Sequence, residues 1–268
     1  MRMIDRHALI ESFKDTCQRF KDNSVLRDAT LAMQADTRLF FPGFNAVNPT
    51  RKCEKPFISV VEDTTFHCAQ GLLHEGKVAV LNFANAYTPG GGVTRGAMAQ
   101  EECLCRSSNL YEGLNLPYLL KNYYKYNGKN TGDMGIDSVI YHPGVMVIKD
   151  DADLPEMLEK PFRVDVLTCA APYIRENAKK PVPTEKLEDT LYRRIRNILE
   201  VAMAYNVDVI VLGAFGCGAF NNDPIMVAGI FRNLLVGKEY ACFFRHVVFA
   251  IKRTRNNVNY EVFDRMLN

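Results

Sequence analysis

Apolar and polar positions along the chain alternate between two patterns, one typical of strands and the other of helices. Short apolar runs predict strands at 57–61, 78–84 and 207–212, and the last is continuous, as in a central strand covered on both faces. Further strands are predicted at 145–148, 164–168 and 246–251. Residues 185–205 place their apolar residues on one helical stripe. This alternation of strands and helices predicts a three-layer α/β domain.

The chain before the first strand is predicted to be helical and then irregular. Residues 5–36 carry apolar residues at helical spacing, whereas residues 37–56 contain several prolines and are predicted to form a loop. After the first strand, Asp63 can cap a short helix, and another helix is predicted over roughly 97–112.

Polar residues indicate where one later helix begins and which side of another is not apolar. Pro224 suits the first position of a helix that Asn221, Asn222 or Asp223 would cap. Along 185–205 the arginines that lie largely off the apolar stripe are Arg193, Arg194 and Arg196. A helix with one apolar face of this kind packs that face on the core.

Composition narrows the class of protein. The 268 residues are 47% hydrophobic, which is ample for a packed core. The net charge of +2, from 33 basic and 31 acidic residues, gives no general reason to expect a nucleic acid or an anionic membrane as partner. No apolar run approaches the roughly 20 residues that span a bilayer, and the N-terminal residues lack the apolar region of a signal peptide. A cytoplasmic location is therefore expected.

The cysteines and histidines do not suggest a metal site. Of the eight cysteines only Cys103 and Cys105 are close in sequence, and a C-x-C pair alone is a poor zinc signature. Most cysteines lie among apolar residues, so reduced and largely buried thiols are expected. The five histidines form no cluster typical of metal ligands. We expect neither a protein-bound metal nor another cofactor.

The most informative stretch joins a glycine loop to a pair of acids. Gly90, Gly91 and Gly92 follow an apolar strand, and Glu101 and Glu102 lie just inside the next predicted helix. Glycine lets a backbone approach a ligand closely, and two carboxylates beside such a loop suit chemistry on a glycosidic bond. Adjacent helical residues point about 100° apart, so one acid would touch the scissile oxygen and the other a neighbouring hydroxyl. The alternative is that both are ordinary first-turn acids facing the helix dipole.

A second glycine-rich loop, at 213–220, follows another predicted strand. In open α/β sheets ligands bind beyond the carboxyl ends of strands, where loop amides can face an anion, and two such loops side by side would suit a diphosphate. The alternative is that the glycines only make tight turns. The loop matches neither an ATP-type phosphate loop nor the dinucleotide fingerprint. Cys217 lacks the flanking glycines of a nucleophile elbow, because Phe215 and Ala219 occupy those positions.

These residues resemble the macrodomain-like poly(ADP-ribose) glycohydrolases, specifically their bacterial-type branch. Three glycines, a seven-residue spacer and the run Gln100-Glu101-Glu102 fit the signature of that family. Segments similar to other parts of the family lie at 82–85, 168–172 and 212–220. The resemblance covers roughly residues 10–255.

The resemblance implies a fold as well as a signature. A macrodomain has a mixed sheet between helices, and this branch adds an N-terminal helical extension. We therefore expect a single macrodomain-like domain over 1–268, with residues 1–56 as the extension and residues 57–268 as the α/β core.

The resemblance also implies hydrolysis of ribose–ribose O-glycosidic bonds in poly(ADP-ribose), with release of ADP-ribose. Glu102 would be the general acid and base, Glu101 would hold ribose hydroxyls, and Gln100 would support the acid loop. Phe220 would form an aromatic wall beside the distal ribose, with an ordinary core position as its alternative. The expected substrate-binding residues are Asn85, Gly90, Gly91, Gly92, Val93, Gln100, Gly216, Cys217, Gly218, Ala219 and Phe220.

Two other functions stay open at this point. Macrodomains often bind ADP-ribose without cleaving it, although pure binding modules lack the acid pair. Cleavage of another ADP-ribose ester or nucleic-acid adduct is a weaker alternative, because the basic cluster Lys252, Arg253 and Arg255 is more simply a solvated face. The expected partners are ADP-ribose and poly(ADP-ribose) or ADP-ribosylated proteins, with neither a membrane nor a specific nucleic acid. Cleavage inside the polymer and cleavage at its end both stay open.

Overall fold

The predicted apolar runs assemble into one mixed sheet. The structure, a computed structural model, describes residues 5–130, 134–174, 182–253 and 258–268. The strands are β1 (Arg38–Phe40), β2 (Phe57–Val61), β3 (Val78–Phe83), β4 (Val139–Lys149), β5 (Met157–Cys169), β6 (Val209–Leu212) and β7 (His246–Ala250). Across the sheet they lie in the order β1-β4-β5-β3-β6-β7-β2.

The two halves of the sheet differ in strand direction. β1, β4 and β5 pair antiparallel, whereas β5, β3, β6, β7 and β2 pair parallel. Parallel strands bring their carboxyl ends to one edge of a sheet. Because β3 and β6 are direct neighbours, with Val78 opposite Val209, the loops that follow them emerge side by side.

Helices cover both faces of this sheet. They are α1 (Arg6–Asp22), α2 (Ser24–Asp36), α3 (Thr65–Gly71), α4 (Gln100–Ser107), α5 (Leu110–Leu114), α6 (Pro117–Leu119), α7 (Lys125–Asn130), α8 (Thr184–Ala204), α9 (Pro224–Arg232) and α10 (Asn259–Leu267). Single wider turns, Leu120–Tyr124 and Asn233–Gly237, continue α6 into α7 and extend α9. Within the described ranges, short 3₁₀ turns include Leu73–Glu75, Val93–Arg95 and Tyr240–Phe243.

Alternate residues of β3 pack on opposite faces of the sheet. Leu81 belongs to the cluster that includes Leu191 of α8, while Val80 belongs to the cluster that includes Phe66 of α3 and Leu104 of α4. Period-two alternation sends neighbouring strand residues to opposite faces, so a central strand needs apolar residues at every position. The predicted α/β fold with a mixed sheet between helices is confirmed.

The N-terminal prediction needs two corrections. The helix predicted over 5–36 is divided at Asn23, whose side chain caps α2 by accepting from the amide of Leu26 at 3.1 Å. The loop predicted over 37–56 contains β1, which pairs antiparallel with β4. A strand of three residues has too short a pattern to be recognised from alternation.

Asp63 is not the cap of α3. The N-cap residue is Thr64, and the first turn is instead bound by Asp151, which follows β4. Asp151 accepts from the amides of Phe66 at 2.7 Å and His67 at 3.2 Å, and from the Thr64 hydroxyl at 2.7 Å. Burial raises the pKa of Asp151, and these hydrogen bonds act against that rise. The cap therefore comes from a distant strand end rather than from the adjacent residue.

The helix predicted over 97–112 ends early, at Ser107. Asn109 bonds the backbone of β4 twice, since its amide donates to the Met146 carbonyl at 3.2 Å and its side-chain oxygen accepts from the Met146 amide at 2.9 Å. This docking turns the chain before α5 begins.

Arg194, which lies off the apolar stripe of α8, is fully buried. Its guanidinium pairs with Asp137 at 3.0 Å and donates to the carbonyls of Ala170, at 2.6 Å, and Met134. A buried guanidinium needs such partners. Arg194 thus fixes the segment after β5 against the segment before β4.

Other predictions about helices and thiols can be compared with the described residues. Asp223 caps α9 and Pro224 takes its first position. All eight cysteines are described and all are free thiols. None of the helices in the described part of the chain is both long and apolar enough to cross a bilayer.

Candidate active site

Gln100 fixes the start of α4 to the end of β3. Its side-chain oxygen accepts from the Phe83 amide at 2.8 Å, and its side-chain nitrogen donates to the Leu81 carbonyl at 2.7 Å and to the Thr65 hydroxyl at 3.0 Å. The amide group therefore binds β3 as a neighbouring strand residue would. This contact determines where the two acids that follow Gln100 lie.

Glu101 is 3% exposed and is held by the start of the glycine loop. Its Oε2 accepts from the Asn85 amide at 2.7 Å, and its Oε1 lies 3.5 Å from the side-chain nitrogen of Asn82. Burial raises the pKa of Glu101 to about 8; the Asn85 hydrogen bond lowers it, and the charge of Glu102 adds to the rise. Glu101 therefore keeps its proton through much of the neutral range.

Glu102 is 7% exposed and has one oxygen engaged and one unengaged. Its Oε1 accepts from the Gly92 amide at 2.7 Å. Its Oε2 is buried and has no hydrogen-bond partner among the residues that the structure describes. A buried carboxylate oxygen without a partner is costly, so this atom is the one that a bound hydroxyl or glycosidic oxygen would satisfy.

Gly91 touches both acids. It has a φ of +56°, and a Cβ at this position would lie 2.4 Å from Glu102 Oε1 and 3.2 Å from Glu101 Oε2. Gly92 is restricted by space alone, since its Cβ would lie 2.7 Å from Cβ of Ala97 and 3.5 Å from Glu102 Oε1. The absence of side chains at these glycines therefore leaves room for the carboxylates. This requirement is additional to the close approach of a ligand that was expected from the sequence.

The remaining predicted residues of the first loop shape its backbone. The Asn85 side-chain oxygen accepts from the amides of Tyr87 at 2.8 Å and Thr88 at 2.9 Å. Gly90 has a φ of +64°. The amide of Val93, which is fully buried, donates to the Gly90 carbonyl at 3.1 Å. These contacts form a tight turn beneath the acids.

Asn222 holds the second loop. Its side-chain nitrogen donates to the carbonyls of Pro172 at 2.9 Å and Gly216 at 3.0 Å. Gly216 has a φ of +75°, and a Cβ there would lie 2.5 Å from the Ala171 side chain. In the sequence, Asn222 was one of three candidate caps of the next helix. Its position just after the glycine loop is the signal that could have identified it as a support of that loop.

The tip of the second loop presents unused amides. The amides of Gly218, Ala219 and Phe220 donate to no acceptor within the described ranges, and nothing lies within 4 Å of a Cβ placed on Gly218. Consecutive free amides bind anions such as phosphates. Burial raises the pKa of the Cys217 thiol to about 12, so this thiol is protonated and unsuited to nucleophilic attack.

A cleft of about 390 Å³ joins the second loop to α4. Of the predicted site residues, those that line it are Gln100, Gly216, Gly218, Ala219 and Phe220. The two acids, Asn85, Cys217, Val93 and the three glycines of the first loop are not among its lining residues. In α4 the acids lie between two residues that line the cleft, Gln100 before them and Cys103 after them.

Phe220 lies both against the apolar core and beside the cleft, which are the two environments that the sequence left open for it. Its half-buried ring packs against the main apolar cluster and lines the cleft. It also meets the ring of Tyr173 edge-on, with centroids 5.6 Å apart. Tyr173 was not among the predicted site residues, and an aromatic residue in a loop carries no periodic signal that would mark it.

Arg106 is a further buried residue that the sequence did not single out. Its guanidinium donates to the Ala97 carbonyl at 2.5 Å and to the Cys103 sulfur at 3.2 Å. It therefore fixes the segment that leads from the glycines to the acids. An arginine in the last turn of a helix is ordinarily exposed, so its sequence position gave no indication of this role.

The predicted basic cluster is paired with acids where it is described. Lys252 lies 2.6 Å from Asp153, and Arg253 contacts Glu62 at 3.5 Å and Glu261 at 3.3 Å. Arg255 lies outside the described residues. Within the described part of the chain, no three His, Cys, Asp or Glu side chains come together as a candidate metal site.

Comparisons with known proteins relate this chain to one family of enzymes. Residues 9–150 match the family model described as microbial-type PARG, catalytic domain. The structure is similar to the poly(ADP-ribose) glycohydrolase of Thermomonospora curvata, with a TM-score of 0.85 and 34% identity over 97% of this chain and 99% of that one. No curated protein gives a significant match.

Two further similar structures contain ligands. One is the T. curvata enzyme bound to the inhibitor ADP-HPD, with a TM-score of 0.81 and 32% identity over 97% of this chain and 99% of that one. The other is the enzyme of Deinococcus radiodurans in complex with ADP-ribose, with a TM-score of 0.76 and 35% identity over 88% and 96% of the two chains. The implied macrodomain-like fold and family are both confirmed, and the chain belongs to the microbial-type poly(ADP-ribose) glycohydrolases, a family of glycosyl hydrolases.

Proposed function

We propose that this chain hydrolyses the ribose–ribose O-glycosidic bonds of poly(ADP-ribose) and releases ADP-ribose, with Glu102 as general acid and base. The observation that carries the proposal is the unequal use of the two Glu102 oxygens: the Gly92 amide anchors Oε1, while Oε2 is buried and unpartnered among the described residues. A fixed carboxyl with one available oxygen suits proton transfer to a bound group.

The chemistry begins with the leaving oxygen. Glu102 donates a proton to the glycosidic oxygen while the bond to the distal ribose breaks, and that ribose becomes oxocarbenium-like. The diphosphate of the same ADP-ribose unit stabilises the positive charge. Glu102, now a carboxylate, accepts a proton from the water that attacks the ribose, which restores the starting protonation state.

Glu101 would hold the ribose hydroxyls beside this bond. Its pKa of about 8, raised by burial, keeps the carboxyl neutral near pH 7. A neutral carboxyl can both donate to and accept from a hydroxyl. Because Glu101 is then uncharged, it does not repel a negative charge on Glu102. The two adjacent acids therefore take different parts, as their different hydrogen bonds suggest.

Binding would use the two loops and the cleft that joins the second loop to α4. The unengaged amides of Gly218, Ala219 and Phe220 would bind the diphosphate, with Phe220 and Asn85 beside the distal ribose. The cleft of about 390 Å³ is within the range of small-molecule sites and would take the nucleoside end. The ligands of the two relatives, ADP-ribose and ADP-HPD, support this assignment.

The test compares Glu102→Gln with Glu101→Gln on poly(ADP-ribose) and on serine-linked mono-ADP-ribose. We expect Glu102→Gln to lower kcat by about 10³-fold, since it removes the transferable proton, while its Kd for ADP-ribose stays within about tenfold of wild type. The amount of released ADP-ribose measures this. Unchanged turnover in Glu102→Gln rejects the catalytic assignment, and binding without any wild-type turnover establishes the non-catalytic alternative.

A further inference from the structure

Ser59 on β2 and His246 on β7 lie near the edge of the sheet opposite β1. Together with Glu75 they form a second group of residue types that occur in catalytic sites. Ser59 Oγ is 2.9 Å from His246 Nε2, and His246 Nδ1 is 3.2 Å from Glu75 Oε2. A serine on one ring nitrogen and a carboxylate on the other is the arrangement by which serine hydrolases activate their nucleophile. None of the three residues belongs to the predicted ADP-ribose site.

The sheet register explains why these groups meet. In the parallel pair β2 and β7, Phe57 lies opposite His246 and Ser59 opposite Val248. These side chains share one face of the sheet because strand residues alternate. Glu75 ends the 3₁₀ turn that follows α3, and from there it reaches the imidazole. Three separate segments therefore converge on one histidine.

The imidazole is fixed on several sides. His246 is 7% exposed, and the ring of Phe57 packs on it with centroids 4.3 Å apart. The Glu75 side chain keeps 29% of its surface exposed. A histidine held between a hydroxyl and a carboxylate has little freedom to rotate, so it stays in the orientation that accepts the serine proton.

Ser59 and His246 both line an open cleft of about 460 Å³. Its other walls include the apolar side chains of Val61, Leu72 and Val248, and Gln70 lies on its exposed side. The volume is within the range of small-ligand sites. An apolar wall beside a serine suits the hydrocarbon part of an acyl group.

We propose that Ser59, His246 and Glu75 form a second catalytic site, which hydrolyses small carboxylic esters with an apolar acyl group. Ser59 Oγ bonds to the carbonyl carbon as its proton passes to His246 Nε2. The carbon–alkoxy bond breaks, and the alcohol leaves with that proton. Water then attacks the acyl-serine, His246 takes a proton from the water and returns it to Ser59, and the carboxylic acid is released. Glu75 orients the imidazole, and the Gln70 amide donates to the carbonyl oxygen.

The test uses a fluorophosphonate probe on the full chain, followed by mass spectrometry of the labelled peptide. We expect phosphonylation at Ser59, none in Ser59→Ala, and labelling slowed by about 100-fold in His246→Gln and about tenfold in Glu75→Gln. The matched serine control is Ser24→Ala, at an exposed helix start, which should label like wild type. Turnover of p-nitrophenyl butyrate should follow the same order.

Two outcomes overturn the proposal: no label on Ser59 of the folded wild type, or equal labelling rates in Glu75→Gln and wild type. Ser59→Ala removes a single oxygen and should therefore fold, which thermal unfolding checks. The comparison of Ser59→Ala with wild type then tests the proposal even if His246→Gln does not fold. Glu102→Gln should label at the wild-type rate, because the second site does not use the acid pair. The result is therefore independent of the proposed ADP-ribose chemistry.

Discussion

Two adjacent glutamates differ in how their oxygens are engaged. Glu101 has both oxygens near donors, the Asn85 amide at 2.7 Å and the Asn82 side chain at 3.5 Å, and its pKa is raised to about 8 by burial. Glu102 has one oxygen on the Gly92 amide and one without a partner in the described residues. Hydrogen bonding at the level of single atoms thus distinguishes a holding acid from a reacting one.

Glu101→Gln should change how stability depends on pH. The pKa of Glu101 is about 8 when folded against 4.5 for an ordinary glutamate, so the folded state binds the extra proton between these values. The stability that this proton gives is complete below pH 4.5 and is lost as the pH rises to 8, by up to about 1.4 kcal/mol per pH unit. Denaturant unfolding at pH 5, 6, 7 and 8 should show wild type losing stability relative to Glu101→Gln.

The control for that comparison is Glu185→Gln, an exposed acid in the first turn of α8. Its free energy of unfolding should run parallel to that of wild type at every pH. A constant difference between wild type and Glu101→Gln across the range would contradict the raised pKa.

Gly91→Ala should strongly lower activity and destabilise the chain. A Cβ at φ +56° and 2.4 Å from Glu102 Oε1 displaces the carboxyl that the reaction uses. We expect kcat to fall by at least about 10²-fold and the free energy of unfolding by about 1–3 kcal/mol. The matched control is Gly128→Ala in α7, where nothing lies within 4 Å of the Cβ. Stability there should rise by about 0.5–1 kcal/mol with unchanged kcat, and equal behaviour of the two variants would refute the steric argument.

At the scale of elements, hydrophobic periodicity predicted the regular strands and missed the features that depend on contacts with distant parts of the chain. The runs that became β2, β3 and β6 were predictable because each strand carries its own apolar pattern. β4 and β5 proved much longer than predicted. β1 exists because β4 pairs with it, and the buried position of Arg194 depends on Asp137, far from it in sequence.

The candidate site divides in the same way. Both glycine loops and both acids could be found from the sequence, because each is a contiguous motif. Gln100, which fixes the acids to β3, was expected as a support from the family resemblance, whereas the supports Arg106 on Ala97 and Asn222 on Pro172 rest on contacts that only the folded chain brings together. Such contacts leave no periodic trace, so the sequence alone does not reveal them.

Asp151→Ala should destabilise the chain more than Asp63→Ala. Removing Asp151 leaves the amides of Phe66 and His67 at the start of α3 without their acceptor. We expect a loss of about 2 kcal/mol in the free energy of unfolding, against less than about 1 kcal/mol for Asp63→Ala. Urea unfolding of both variants measures this. A larger effect of Asp63→Ala would show that the adjacent residue, and not the distant one, caps the helix.

At the scale of the whole molecule, the N-terminal helices are part of the same body as the sheet. The Thr16 hydroxyl donates to the Arg106 carbonyl at 2.5 Å, and Lys149 of β4, which is almost fully buried, pairs with Asp15 at 2.8 Å. Phe13 and Met33 lie in the same apolar cluster as Leu104 of α4. We therefore propose that residues 1–56 and 57–268 fold as one domain, with the extension supporting the helix that carries the acids.

A single cooperative body should respond as a whole to a ligand bound at its proposed active site. A ligand at 100 times its Kd adds about 2.7 kcal/mol to the free energy of unfolding, and for a chain of this size each kcal/mol shifts Tm by about 2–4 °C. Saturating ADP-ribose should therefore raise Tm by about 5–10 °C in one transition. UDP-glucose, which keeps a ribose and the diphosphate but carries uracil in place of adenine and glucose in place of the distal ribose, should raise it by much less because the smaller base fills less of the cleft and the hexose replaces the ribose that the acids hold. Equal shifts with the two compounds would mean that neither the adenine nor the distal ribose is recognised. A rise confined to one of two separate transitions would mean that the extension and the core unfold independently.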